Sequence, residues 1–346
     1  MLAGALACAL SWALGAGPAA ATGAILFDTT DGHVLYAEDA DAPWYPASLT
    51  KMMTAYVAFQ AIRDHKITED TKIFISPHAN AQPPTRLGLK AGKDLPLGDA
   101  LRALIMRSAN DLAIAIAETI GGDEASFVKT MNQTAAQLGM AHTHFINPNG
   151  LPAEQQVTTP RDMALLAQAL VRDFSEHGAM FSDTQATIAK VSISTHNALL
   201  GSFPGADGIK TGYTCASGYN LVASATRDGH RLVAVVLGEQ TSAARNARAA
   251  SLLEHGFKTR EWKTLVPTAR VENFPSSIVG AGFEPDATML EHWKACQDLP
   301  PPPEATADAS KKDGKKQQAS LAEGKKPAQR QARTSGSRKR RHARNE

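Results

Sequence analysis

Three short strings in this chain put reactive side chains at spacings that acyl-transfer chemistry can use: Ser48-Leu49-Thr50-Lys51, Ser108-Ala109-Asn110 and Lys210-Thr211-Gly212. At a helix start, side chains three residues apart share a face, so Lys51 reaches the Ser48 hydroxyl. A serine nucleophile needs a base, and an ammonium is not one. Burial, the positive end of the helix dipole and a second cation at Lys210 all lower the Lys51 pKa, and a neutral Lys51 accepts the Ser48 proton. Ser108 and Asn110 project from one loop, Ser108 to relay a proton to a leaving group and Asn110 to hold a substrate amide and the Lys51 amine. On a strand, Lys210 and Gly212 point to one face and Thr211 to the other. Gly212 lets a substrate approach the backbone closely. Lys210 and the Thr211 hydroxyl suit a substrate carboxylate, although alternation alone separates them and a local twist or an edge position must reconcile this. The backbone N–H groups of Ser48 and Tyr213 are expected to form an oxyanion hole. Taken singly, the first two strings are also what plain helix caps look like, and the third is an ordinary edge-strand lysine beside a turn.

The strings gain force from the elements that must position them. Residues 23–38 hold two short apolar runs around Asp31-Gly32, a hairpin signal. After Ser48, the residues Leu49, Met52, Met53, Tyr56, Val57, Phe59 and Ile62 cover most sides of a helix, which predicts a largely buried one. Residues 98–120 read as two helices around the polar break Ser108–Asp111, and 124–138 and 160–173 also have helical periodicity. Asp207–Thr214, Tyr219–Thr226 and Arg231–Leu237 read as strands, the last two joined by the turn 227–230, and a final helix spans about 242–257. Sequential strands with short turns imply an antiparallel sheet. The predicted class is α+β: an antiparallel sheet covered by helices, with a long helical insertion after the first hairpin.

The 346 residues carry a net charge of +2 that hides a split. Residues 300–346 hold 13 basic and 5 acidic residues, net +8, which leaves 23 basic and 29 acidic residues, net −6, in the rest. The tail opens on Pro300–Pro303, has one Leu and no aromatic residue, and is expected to be disordered. No internal apolar run approaches the ~20 residues of a membrane-spanning helix. Residues 1–21 form an apolar run ending in small residues with a cleavage site near Ala21, and read as a signal peptide. Export to the periplasm or cell envelope follows, which argues against nucleic acid as the tail's partner and for an anionic wall or membrane surface. Cys215 and Cys296 remain after cleavage. They could pair in an oxidising compartment, and nothing in their spacing decides it.

With the three strings and their placement in hand, the chain resembles the low-molecular-mass penicillin-binding proteins, the serine-type D-alanyl-D-alanine carboxypeptidases. The set SxxK, SxN and KTG is shared by penicillin-binding proteins and class A β-lactamases. Longer segments match as well: PASLTKMMTAYVAF at 46–59, LIMRSANDLAIAIAE at 104–118, GADGIKTGYTCASGYNLVASA at 205–225, Phe145–Leu151 with Asp162-Met163-Ala164, and Asn197–Leu200. The resemblance covers residues 22–258. It implies a β-lactamase/transpeptidase-like fold, acylation of Ser48 by a peptidoglycan pentapeptide stem, release of D-alanine, hydrolysis of the acyl-enzyme, and β-lactams as covalent inhibitors. The predicted catalytic residues are Ser48, Lys51, Ser108 and Asn110; Lys210, Thr211, Gly212 and Tyr213 bind substrate; no metal or cofactor is implied. Many family members add a β-rich domain and a membrane-binding amphipathic helix. Residues 260–299 are short for such a domain and read as an appendage or linker, and the basic tail is expected to stand in for the membrane helix.

Rival readings share some of these features. A β-lactamase needs a carboxylate for its deacylating water, carried in E-x-x-L-N, and residues 111–209 contain no such string. A D,D-endopeptidase cutting crosslinks uses the same residues. A metal peptidase has only His142-Thr143-His144 to begin from. A non-catalytic wall-binding protein would be marked by loss of Ser48, Lys51 or Lys210, and all three are present.

Overall fold

The structure is a computed structural model and describes residues 23–263, 269–275 and 284–297. The elements follow one another as β1 (Ala24–Asp28), β2 (Val34–Glu38), α1 (Thr50–Arg63), β3 (Lys72–Phe74), α2 (Pro77–Asn80), β4 (Asp94–Pro96), α3 (Leu97–Met106), α4 (Asn110–Gly121), α5 (Glu124–Gln137), α6 (Pro160–Asp173), α7 (Ala179–Ser182), β5 (Gln185–Ile188), β6 (Val191–Ser194), β7 (Ala206–Thr214), β8 (Gly218–Arg227), β9 (His230–Glu239), α8 (Ser242–Lys263) and α9 (Ala287–Gln297). Five strands form one sheet in the order β2-β1-β9-β8-β7, every pair antiparallel. The first hairpin therefore closes onto the last strand, and β7, which carries Lys210-Thr211-Gly212, is an edge. The fold is the α+β arrangement the sequence implies.

Strand alternation decides which core each residue enters. Leu221, Ala223, Leu232, Ala234 and Val236 face one side with Leu26, under Ala249 and Leu253 of α8. Val222, Val233, Val235 and Leu237 face the other with Ile25 and Phe27, against the helical insertion. Both faces are covered, so β9 reads as a nearly continuous apolar run rather than an alternating one. Helix α1 lies inside the insertion: every residue from Thr50 to Phe59 is buried. Side chains start two of the surrounding helices. Asp123 caps α5 by accepting from Ser126 N, and Thr159 caps α6 by accepting from Asp162 N ahead of Pro160.

Four short features lie outside the sequence reading: the pairs β3–β4 and β5–β6, and the one-turn helices α2 and α7. Helix α8 runs to Lys263, six residues past its expected end. The segment after it returns to the body. Ala269 O and Gly32 O accept from Val34 N and Val271 N at 3.0 and 2.8 Å, and Pro275 O accepts from Arg161 at 2.9 Å. Cys215 and Cys296 are joined in a disulfide, a pairing their spacing did not decide, and it ties α9 to the β7–β8 turn. Among the described residues no helix is long and apolar enough to cross a membrane. The leader 1–21 and the tail 300–346 lie outside the described residues.

Candidate active site

Ser48 sits in a 3₁₀ turn, Ala47–Leu49, that leads directly into α1. The serine is half-buried, and Lys51, one turn behind it, is 1% exposed. The approach to this turn is held from the sheet. Asn220 of β8 donates to Tyr45 O and Pro46 O at 2.9 and 3.2 Å while its Oδ1 accepts from Gly238 N, and Trp44 Nε1 donates to Ser217 O at 2.7 Å. Strand β7 lies so close that a Cβ at Gly212 would stand 3.1 Å from Pro46 O and 3.2 Å from Ser48 N. On another side the loop 145–151 presses in. Gly150 has φ +78°, and a Cβ there would stand 2.0 Å from Ala47 O, so no other residue fits. Ala47 and Ser108 themselves adopt φ of 49° and 61°, a left-handed conformation that costs a non-glycine residue roughly 1–3 kcal/mol.

Lys51 Nζ contacts three oxygens: Ser48 Oγ at 3.1 Å, Asn110 Oδ1 at 2.8 Å, and Asn149 O in a shorter contact. Asn110 is the first residue of α4, and its amide orientation is set by Nδ2, which donates to Pro83 O at 2.9 Å. Asn110 Oδ1 and the Asn149 carbonyl only accept. An uncharged amine has two N–H groups and one lone pair. The two N–H groups go to the two pure acceptors, and the lone pair is left for Ser48, whose hydroxyl then donates to Nζ. The contacts thus orient a neutral Lys51 as a proton acceptor for one atom, Ser48 Oγ. Its pKa is held well below the usual 10.5 by burial first and by Lys210 second, against an opposing pull from Asp111.

Ser108, in the break between α3 and α4, accepts from Lys210 Nζ at 3.0 Å. Lys210 also donates to Thr211 O at 2.9 Å and is 2% exposed. Burial, and then the charge of Arg245, lower its pKa to about 7. The link from Lys210 to Thr211 runs through the Thr211 carbonyl and not through its hydroxyl. Thr211 is buried, whereas Tyr213 is 46% exposed and packs on Tyr219 with ring centroids 4.3 Å apart. The structure therefore gathers Ser48, Lys51, Ser108, Asn110, Lys210 and Gly212 from three separate segments around one half-buried hydroxyl.

The sequence reading missed other parts of the site. Asn149 contributes a backbone carbonyl, and its side chain donates to Gln82 at 3.0 Å. Its neighbours fix it: Asn147 Oδ1 accepts from Gly150 N at 2.8 Å, and Pro148 O accepts from Thr54 of α1 at 2.6 Å. The only signal was the Asn-Pro-Asn-Gly string, which marks a turn with a glycine at positive φ. Arg245, in the first turn of α8, is 5% exposed, and its pKa is lowered to about 10 by burial. Its side-chain hydrogen bonds run to Asn246 Oδ1, and among the described residues no carboxylate pairs with it.

A half-buried serine backed by a buried lysine, with a serine–lysine pair beside it on an edge strand, defines a serine acyl-enzyme hydrolase of the penicillin-recognising class. The comparisons agree with this class. The family model of the D-alanyl-D-alanine carboxypeptidases matches residues 14–241. The chain is 38% identical over 272 residues to the D-alanyl-D-alanine carboxypeptidase DacC of Escherichia coli, covering 77% of this chain and 68% of that one. Penicillin binding protein 5 from Haemophilus influenzae superposes with a TM-score of 0.66 at 36% identity, covering 70% of this chain and 72% of that one. Penicillin-Binding Protein D2 from Listeria monocytogenes, in its ampicillin-bound form, superposes with a TM-score of 0.61 at 31% identity, covering 69% of this chain and 97% of that one. The chain belongs to the D-alanyl-D-alanine carboxypeptidase family.

Proposed function

We propose that this chain is a serine D-alanyl-D-alanine carboxypeptidase that removes the terminal D-alanine from peptidoglycan pentapeptide stems through an acyl-enzyme on Ser48. The observation that carries the assignment is the Lys51 hydrogen-bond set, two pure acceptors and the Ser48 hydroxyl. Ser48 Oγ attacks the scissile carbonyl and its proton passes to Lys51 Nζ. The oxyanion is received by the N–H groups of Ser48 and Tyr213. As the C–N bond breaks, Lys51 gives up the proton it took from Ser48, a proton passes to the leaving amine by way of the Ser108 hydroxyl, and D-alanine departs with Lys51 neutral again. A water then attacks the ester, with Lys51 again accepting the proton and Ser48 regaining one. The carboxylate of the leaving D-alanine is drawn to the side of Ser108 where Lys210 and Arg245 concentrate positive charge. β-Lactams acylate the same serine and stay, as the ampicillin-bound Listeria relative leads one to expect.

The leader's composition supports export to the cell envelope, and the Cys215–Cys296 disulfide suits an oxidising compartment. The basic tail is proposed to tether the enzyme to anionic wall polymer or membrane. Deleting residues 300–346 then lowers retention on envelope fractions at low salt, and unchanged retention rejects the tether.

The test of the activity is intact-mass analysis of residues 22–346 after benzylpenicillin, with D-alanine release from a D-Ala-D-Ala pentapeptide. One penicilloyl group on the Ser48 peptide, none in Ser48→Ala, and free D-alanine are expected. An adduct without D-alanine turns the assignment toward an endopeptidase or a binding protein. No adduct rejects it.

A further inference from the structure

The disulfide places α9 beside the catalytic turn. Cys215 lies two residues past Tyr213, and its partner Cys296 sits near the end of α9. The other contacts of α9 fall on the approach to the nucleophile. The His292 ring meets Trp44 edge-on at 5.3 Å between centroids, Trp293 leans on Tyr45 at 5.8 Å, and Tyr45 Oη donates to the carbonyl of the fully buried Met289 at 3.3 Å. Between them is a shallow, solvent-open cleft whose lining includes Tyr45, Ala47, Leu151, Thr214, Ala216 and Trp293. Its polar edges are already engaged: Thr214 Oγ1 donates to Ser217 at 2.9 Å, and Gln156 Nε2 donates to Leu151 O at 3.2 Å. What remains open to an occupant is apolar.

The cleft's place relative to Ser48 says which part of a substrate meets it. Gly212 abuts Ser48 N. Lys210 is two residues before Gly212 on β7 and Thr214 two after, so at ~3.3 Å per residue each lies about 7 Å along the strand from the nucleophile, in opposite directions. The leaving D-alanine takes the Lys210 side, which leaves the Thr214 side for the acyl half. A distance of about 7 Å is two residues of extended chain, the reach of the side chain that precedes the penultimate D-alanine.

We propose that Trp293, presented by α9 and pinned through Cys215–Cys296, forms the outer wall of an acyl-side subsite for the apolar stem of the substrate residue two places before the C-terminal D-alanine. The inference rests on Ser48 being the acylated residue. Because the wall comes from a segment some eighty residues beyond the β7–β8 turn, acyl-side selectivity is built by the appendage as well as by the peptidase body.

Two probe pairs test this in the full chain. Benzylpenicillin has an apolar acyl arm and 6-aminopenicillanic acid has none; diacetyl-L-Lys-D-Ala-D-Ala has a methylene stem and acetyl-D-Ala-D-Ala has none. In Trp293→Ala the ratio of acylation rate constants, long arm over no arm, falls about tenfold, the usual scale of an apolar pocket contact, and the kcat/KM ratio of the peptides falls with it. Trp293→Phe keeps most of the ratio. The double variant Cys215→Ser with Cys296→Ser, its tryptophan intact, lowers the ratio by a smaller factor. An unchanged ratio in Trp293→Ala overturns the proposal, and so does an equal loss on both members of a pair, which marks a packing role only. If Trp293→Ala does not fold, the double cysteine variant decides by the same ratio. A wild-type chain acylated by neither penicillin removes the Ser48 assignment. One that is acylated but releases no D-alanine removes the carboxypeptidase reading, and the penicillin pair still tests the subsite.

Discussion

Lys51 and Lys210 are both almost wholly buried, and burial is the leading reason that both are easier to deprotonate than a lysine in water. Their surroundings differ. Lys51 faces three oxygens, only one of which can donate, so its neutral form has a defined use for the lone pair. Lys210 faces Ser108 Oγ and one carbonyl, feels the charge of Arg245, and among the described residues has no carboxylate beside it. A buried cation near a second cation is costly until an anion arrives. The same residue type is set up as a base at the start of a helix and as an anion receptor on a strand. What separates the roles is the partners each ammonium meets.

The sharpest way to break this contrast is at Lys51. Lys51→Ala is expected to slow both acylation and deacylation by about 10²–10⁴-fold or more, read by mass spectrometry of the Ser48 adduct over time. Near wild-type acylation in that variant would deny Lys51 its base role. Lys210→Ala is expected to cost about 10²-fold in kcat/KM on peptides with a free C-terminal carboxylate and much less on their amides, because only the former lose a charge partner. Equal loss on both would make Lys210 a structural cation.

The pH dependence sharpens the contrast further. Acylation needs Lys51 neutral and Lys210 charged. In the free enzyme the rate constant should rise with pH as Lys51 loses its proton and fall above about 7 as Lys210 loses its own, roughly tenfold per pH unit on each limb. Lys210→Arg, which stays charged, should remove the upper limb. A profile flat from pH 6 to 9 would exclude the Lys210 titration.

The smallest effect concerns stability. Lys210 has a folded-state pKa of about 7 against an ordinary 10.5, so between these values the unfolded chain binds more protons and wild-type stability rises with pH. Below about 7 the folded protein bears the whole cost of the buried charge. Lys210→Met should therefore melt a few degrees higher than wild type at pH 6, with the advantage shrinking as pH approaches 10.5. An advantage independent of pH would assign it to packing instead.

Much of the frame was legible because its signals are local. The first hairpin, the buried helix after Ser48, the break at Ser108 and the three strands of the C-terminal half rest on periodicity and on Gly and polar punctuation. The β5–β6 hairpin was not legible: its turn is Ala189-Lys190, with φ of 48° and 69°, where a hairpin signal would be Asn-Gly. Strands β3 and β4 have three residues each, too few to show a period. Arg245 lies in a basic, alanine-rich stretch with no local mark of burial, and it is buried because the start of α8 packs against the start of β8, with its guanidinium 5.9 Å from the Tyr219 ring centroid. The Asn149 carbonyl could not be read at all, since every residue has one.

The sequence alone determined what local spacing determines: Lys51 within reach of Ser48, Lys210 and Gly212 on one face of a strand, an acidic body with a basic end. Tertiary structure decided that Asn110 and Asn149, 59 and 98 residues from Lys51, take its two N–H groups. It also decided that Arg245 sits near Lys210 and that Cys296 reaches Cys215 across 81 residues. Desolvation and hydrogen-bond direction depend on which distant segments close around a group. That closure is a property of the packed chain, and it is what makes one of two buried lysines a base.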